Sequence, residues 1–167
     1  MNEQGLADMT ILSISQLLPQ PRMRLWHIAS TFDNTPRWVE GVTSVQHMRG
    51  NPRGVGGIWR AQLNPEGDTQ NGEFEITEWL EGERFSLRPV QRSGVLHGIE
   101  LFQLIFDLGE QSPAETRIGL QCEYEPRSKF GRIKNLAFLR RQYIAFLHDI
   151  IGSLNRLSNS EFARSDF

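Results

Sequence analysis

The sequence predicts an α+β fold in which a seven-stranded antiparallel sheet is joined to one long carboxy-terminal helix, with two short helices between strands one and two. Three observations predict it. A short apolar strand ends at Pro19 and Pro21 before a helical stretch, six strand-like segments follow with hairpin-length connections, and the last third carries a broad apolar stripe at 3.6 residues per turn.

Thr10 to Leu18 is rich in Ile and Leu and reads as strand one. Pro21 suits a helix start, Leu25, Trp26, Ile28, Ala29 and Phe32 recur at helical spacing, and Asp33-Asn34-Thr35-Pro36 stops that helix before a short turn around Trp38. Strands are predicted at Thr43 to Met48, Ile58 to Leu63, Gly72 to Leu80, Arg84 to Val90, His97 to Leu108 and Thr116 to Tyr124. The glycines between Arg49 and Gly57 precede a strand rather than a helix, so a hairpin turn explains them better than a phosphate cradle. In the last strand Ile118, Leu120, Cys122 and Tyr124 share the inward face. The long helix is predicted from about Phe130 to Leu157, followed by a polar, mobile tail from Ser158.

The 167 residues suit one domain, placed at 10–157 with flexible ends at 1–9 and 158–167. A lone Cys122 excludes an internal disulfide, the amino terminus lacks a secretory pattern, and no apolar run would span a bilayer, which together predict a cytoplasmic protein. The net charge of -2 conceals a division: residues 66–110 carry ten acids and three arginines, residues 127–156 seven bases and one acid. A basic final helix can serve solubility, or meet a membrane surface or a protein partner; nucleic acid is not expected. His27, His47, His97 and His148 show no ligand spacing, so neither a metal nor a cofactor is expected.

Specific residues add a resemblance. Pro21 with Trp26, Phe32 with Pro36-Arg37-Trp38, Gly41-Val42, Gly54-Val55-Gly56, Ile76-Thr77-Glu78-Trp79, Tyr124-Glu125-Pro126 and the final Ser153-Leu154-Asn155-Arg156-Leu157 are similar to the polyketide cyclase/dehydrase-like members of the START and Bet v 1-like superfamily, also called SRPBCC or helix-grip proteins. The resemblance covers roughly Thr10 to Leu157. It implies a curved sheet gripping the last helix around a hydrophobic cavity. Its members include polyketide aromatases and cyclases, lipid and quinone carriers and plant binders of hydrophobic small molecules, so reaction type does not follow from it.

Within that cavity the expected ligand-binding set is Trp38, Trp59, Phe74 and Glu78 from the first part of the sheet, Phe102, Leu104, Leu120, Cys122 and Tyr124 from its last two strands, and Leu136, Arg140, Tyr143 and Leu147 from the helix. Arg140 falls inside the apolar stripe, where a guanidinium must meet a carboxylate, an anionic ligand group or the water at the cavity mouth. Tyr143 and Tyr124 offer phenols, which either donate to a ligand carbonyl or simply pack. Glu100 and Glu78 are in phase with inward residues; each is either a buried base with a raised pKa or an acid reaching water. Cys122 reads as an inert buried thiol.

Three functions compete. The favoured one is binding of a polyketide-, lipid- or quinone-like molecule, by a monomer or homodimer. The second is a metal-free polyketide cyclase or dehydratase using Arg140, Tyr143 and Glu100. The third is a quinone- or ribosome-associated interaction module acting through the basic helix.

Overall fold

Antiparallel pairing of the first strand with the last sets the architecture of this computed structural model, which describes residues 9–64, 70–91, 95–96, 99–126, 138 and 140–165. The elements are β1 (Thr10–Leu18), α1 (Arg22–Ser30), a 3-10 helix (Phe32–Arg37), β2 (Val42–Arg49), β3 (Ile58–Leu63), β4 (Gln70–Leu80), β5 (Arg84–Pro89), the two-residue β6 (Val95–Leu96), β7 (Ile99–Ser112), β8 (Glu115–Pro126) and α2 (Arg140–Ser165). Seven strands run β1-β8-β7-β5-β4-β3-β2, with β6 paired to β7 at the side. The expected curved antiparallel sheet, long last helix and short helical pair are all present.

Period-two alternation is cleanest on β8. Thr116, Ile118, Leu120, Cys122 and Tyr124 are buried, whereas Arg117 is exposed. On α2 the buried set is Tyr143, Leu147, Ile150, Ile151, Leu154, Leu157 and Ser158, spaced to form one stripe, with Arg141, Gln142 and Asp149 exposed opposite. That stripe faces β1 and α1, where Leu12, Leu18, Leu25, Trp26, Ile28 and Ala29 are almost fully buried.

The last helix continues past the end expected at Leu157, through Ser165. Its polar composition suggested a tail, but the partners of those polar groups lie on other elements. Ser158 Oγ donates to Gln20 Oε1 at 2.7 Å, Arg37 pairs with Glu161 at 2.7 Å, and the Arg24 guanidinium lies 4.2 Å above the Phe162 ring. The expected first turns of this helix, before Phe138, lie outside the described residues.

The glycine-rich turn between β2 and β3 folds back on β4. Gly56 N–H donates to Ile76 O and Ile76 N–H to Gly57 O, at 2.9 and 2.8 Å. Gly50 has φ +76° and a Cβ there would collide with the Gly56 carbonyl oxygen, so the close approach requires glycine.

Two of the sheet's register shifts bear on which side chains face α2. On β4 the register slips between Ile76 and Glu78, with the Thr77 hydroxyl 2.8 Å from Ser86 Oγ. On β7 it slips between Leu101 and Gln103. Each is a β-bulge, in which one extra residue reverses which side chains face inward beyond it.

Candidate functional site

Between the sheet and α2 lies a cavity of about 420 Å³, within the range of small-molecule sites. The sheet supplies Val45, Trp59, Ala61, Leu63, Phe74, Phe85, Leu87, Leu101, Leu104, Phe106, Leu120 and Cys122; the helix supplies Tyr143, Phe146, Leu147 and Ile150; and Phe32, Trp38 and Val39 close one side. Glu40, Gly41 and Asn64 also line it and are exposed, which places the mouth where the 3-10 helix runs into β2 beside the end of β3. The segment from Pro21 to Trp38 thus borders the cavity, as the sequence suggests.

Few polar groups reach this wall. The Cys122 thiol is pushed up to about 12 by burial, with a smaller contribution from the Glu123 carboxylate. The Tyr143 phenol is likewise raised, by burial first and then by Cys122 and Tyr124 beside it. Both therefore stay protonated at neutral pH and act as neutral groups. The rings of Tyr124 and Tyr143 lie 5.4 Å apart at a 40° tilt. Phe32 meets Trp59 edge-on at 5.3 Å and Phe85 at 5.2 Å, and Phe85 stacks on Phe106 at 4.9 Å, so the aromatic wall is fixed by mutual packing.

Of the expected ligand-binding residues, Trp38, Trp59, Phe74, Leu104, Leu120, Cys122, Tyr143 and Leu147 come together around the cavity. Tyr124 is fully buried but packs behind Tyr143 rather than in the wall. The remaining expectations need correction or fall elsewhere. Phe102 is displaced by the β7 bulge, and Leu101, paired with Tyr124, takes the inward position. Glu78 is displaced by the Thr77 bulge; it lies 3.9 Å from Arg84, away from the wall, while Trp79 continues the inner face against Phe32 and Phe85. Arg140 is exposed and is not a wall residue. It shares the helical phase of Leu147, which lines the cavity, yet its own side chain is exposed. Glu100 is paired with Glu125, one step out of phase with the inward Leu101–Tyr124 pair, and its side chain lies outside the described residues, as does Leu136 altogether.

Other wall residues were not singled out from the sequence. Leu101 was hidden by the bulge. Phe146 lies three residues after Tyr143 and four before Ile150, a spacing that does mark it as a stripe residue. Among the described residues no cluster of His, Cys, Asp and Glu could hold a metal, and no helix is long and apolar enough to cross a membrane.

No protein-family model matches the chain, and no curated protein matches its sequence. Solved structures do match. TTHA0849 from Thermus thermophilus superposes with a TM-score of 0.72 at 14% identity, over 91% of this chain and 99% of that one. The Zhui aromatase/cyclase from Streptomyces sp. R1128 gives 0.68 at 10% identity over 89% and 95%, and a START superfamily protein from Mycobacterium smegmatis 0.67 at 14% over 88% and 98%. At these identities the likeness is one of fold: the helix-grip fold of the START and Bet v 1-like proteins.

Proposed function

We propose that this helix-grip chain binds one small apolar or amphipathic molecule in the cavity between its sheet and α2. The observation that carries the reading is the cavity itself: about 420 Å³ walled almost wholly by apolar and aromatic side chains, with an exposed rim at Glu40, Gly41 and Asn64. Apolar space of that size forfeits dispersion contacts that a ligand would restore. The polyketide-, lipid- and quinone-like molecules suggested by the sequence all have suitable bodies.

A cyclase or dehydratase acting in the same cavity needs a proton acceptor near the substrate. Tyr143 and Cys122, held protonated, are donors rather than bases at neutral pH, and the described carboxylate of the lining, Glu40, stands at the rim. Binding accounts for the arrangement without those extra groups. Native mass spectrometry of the protein as isolated, followed by titration with a panel of neutral and charged apolar compounds, tests the reading. A saturable one-to-one complex is expected; absence of any complex across the panel would refute it.

A further inference from the structure

The two edges of the sheet differ in how they meet a neighbouring strand. β2, at one edge, carries His47 and Arg49, is interrupted by register shifts near both ends and packs against the 3-10 helix, all features that keep an edge from pairing. β1, at the other edge, has none of them. Its run from Thr10 to Leu18 contains no charge, glycine or proline, and its register with β8 is unbroken over all nine residues. Among the described residues β1 pairs with no strand but β8. Alternate residues between Ile11 and Leu17 therefore point their backbone N–H and C=O groups away from β8. Ser15, Gln16 and Leu17 are exposed in succession, so neither face of the strand is covered at that level.

We infer that β1 pairs with the β1 strand of a second copy of this chain, antiparallel about a two-fold axis at Ile14. In that register Ile11 faces Leu17 of the partner subunit, and Ser13 faces Ser15 of the partner subunit. Ile11 and Leu17 stand three positions either side of Ile14, share the outer face and are 51% and 43% exposed. A two-fold covers both of them twice, which an unrelated strand would do only by coincidence. Positions 11 and 17 have the same parity, so the outward backbone groups of one copy meet those of the other, forming about six to eight main-chain hydrogen bonds. No like charges are brought together: β8 places Glu123 beside Ile11 and Arg117 beside Leu17, so each apolar pair is flanked by an acid of one copy and a base of the other. An edge of this length is small beside permanent interfaces, so the dimer depends on concentration, with a Kd on the order of 10–100 µM.

No β1 residue lines the cavity, so this interface is tested apart from ligand binding. Sedimentation equilibrium of the intact protein from about 1 µM to about 1 mM should show the mass rising from one 19.2 kDa chain toward two, with half conversion on the order of 10–100 µM. Ile11→Lys combined with Leu17→Lys sets like charges opposite each other on both sides of the axis and should weaken dimerisation at least about ten-fold. Ile11→Lys combined with Leu17→Glu sets opposite charges there and should recover most of that loss. Both side chains are exposed in the single chain, so these changes spare its core. Amide hydrogen exchange of the unmutated protein gives a second readout if a variant folds poorly: alternate amides from Ile11 to Leu17 should be protected at high concentration and exchange freely at low concentration. A mass of one chain throughout, dimers that survive the double lysine change, equal loss in the lysine–glutamate variant, or exchange along Ile11 to Leu17 that ignores concentration would overturn the pairing, whatever the cavity holds.

Discussion

Ser158 on α2 and Gln20 on the link between β1 and α1 are joined by a 2.7 Å hydrogen bond across 138 positions of sequence, and both residues are almost wholly buried. Gln20 also donates to Asn155 and Asn159, and its backbone carbonyl accepts from Thr116 Oγ1 at 2.7 Å. One glutamine thus fastens the last helix to the first and last strands, holding α2 over the cavity.

Ser158→Ala removes the shorter of the two hydrogen bonds to Gln20 Oε1 and leaves Arg24 Nη1 at 3.4 Å, so we expect a loss of about 1 kcal/mol in chemical denaturation. Ser160→Ala, whose hydroxyl bonds only within its own helix turn, should cost less. Equal costs would show that the Ser158–Gln20 bond is not what anchors this end of the helix.

Glu81 holds two indoles and Arg53 at once, and these contacts draw its carboxyl below the usual range, the Trp26 hydrogen bond most of all. Glu81→Ala should destabilise by about 1–2 kcal/mol because it orphans the deeply buried Trp26 donor, and Glu81→Gln, which keeps an acceptor oxygen, should cost less. Because the folded-state pKa is lowered, the stabilising contribution is present above the unfolded value and fades as pH falls through the folded one. Urea unfolding of the three proteins at neutral and acid pH checks both statements.

The buried Cys122 thiol has the opposite sign. Its folded-state pKa of about 12 lies above the ordinary value of 9, so the unfolded chain releases its proton first. Stability is unaffected below about pH 9 and then declines as pH rises toward the folded value, by at most about 1.4 kcal/mol per pH unit for this one group. Cys122→Ala should flatten the stability curve between about pH 9 and 11 by up to that slope. An unchanged curve would mean the thiol already ionises freely in the folded protein.

The corrected wall makes a prediction that separates it from the wall expected from sequence. Glu78→Gln, Phe102→Ala and Arg140→Ala should leave the affinity for an apolar probe within about two-fold of the parent, whereas Leu104→Ala should change it more, since only Leu104 touches the cavity. Calorimetric titration decides between the two walls.

The same residues show what a sequence can and cannot tell. β8 alternates without interruption, and its four inward residues are identified by period two alone; Trp59, Ala61 and Leu63 on β3 follow the same rule. Glu78 and Phe102 were misplaced because a bulge inserts one residue without a distinctive local signal, and every residue beyond it changes face. Arg140 is a different case: it shares the helical phase of Leu147 yet is exposed, and phase gives direction around an axis without giving the burial at each level along it. The continuation of α2 past Leu157 depended on Gln20, Arg37 and Arg24, partners more than a hundred residues away.

Filling the space between sheet and α2 should exclude a ligand that binds there. Ala61 is buried in the cavity wall, so Ala61→Phe can direct a ring into free volume with little strain. Titration of 2-acetylnaphthalene into the parent and this variant, each first shown to unfold at a similar temperature, should give saturable one-to-one binding in the parent and a loss of at least about ten-fold in the variant. Equal affinity in the two would place the ligand elsewhere and contradict the account.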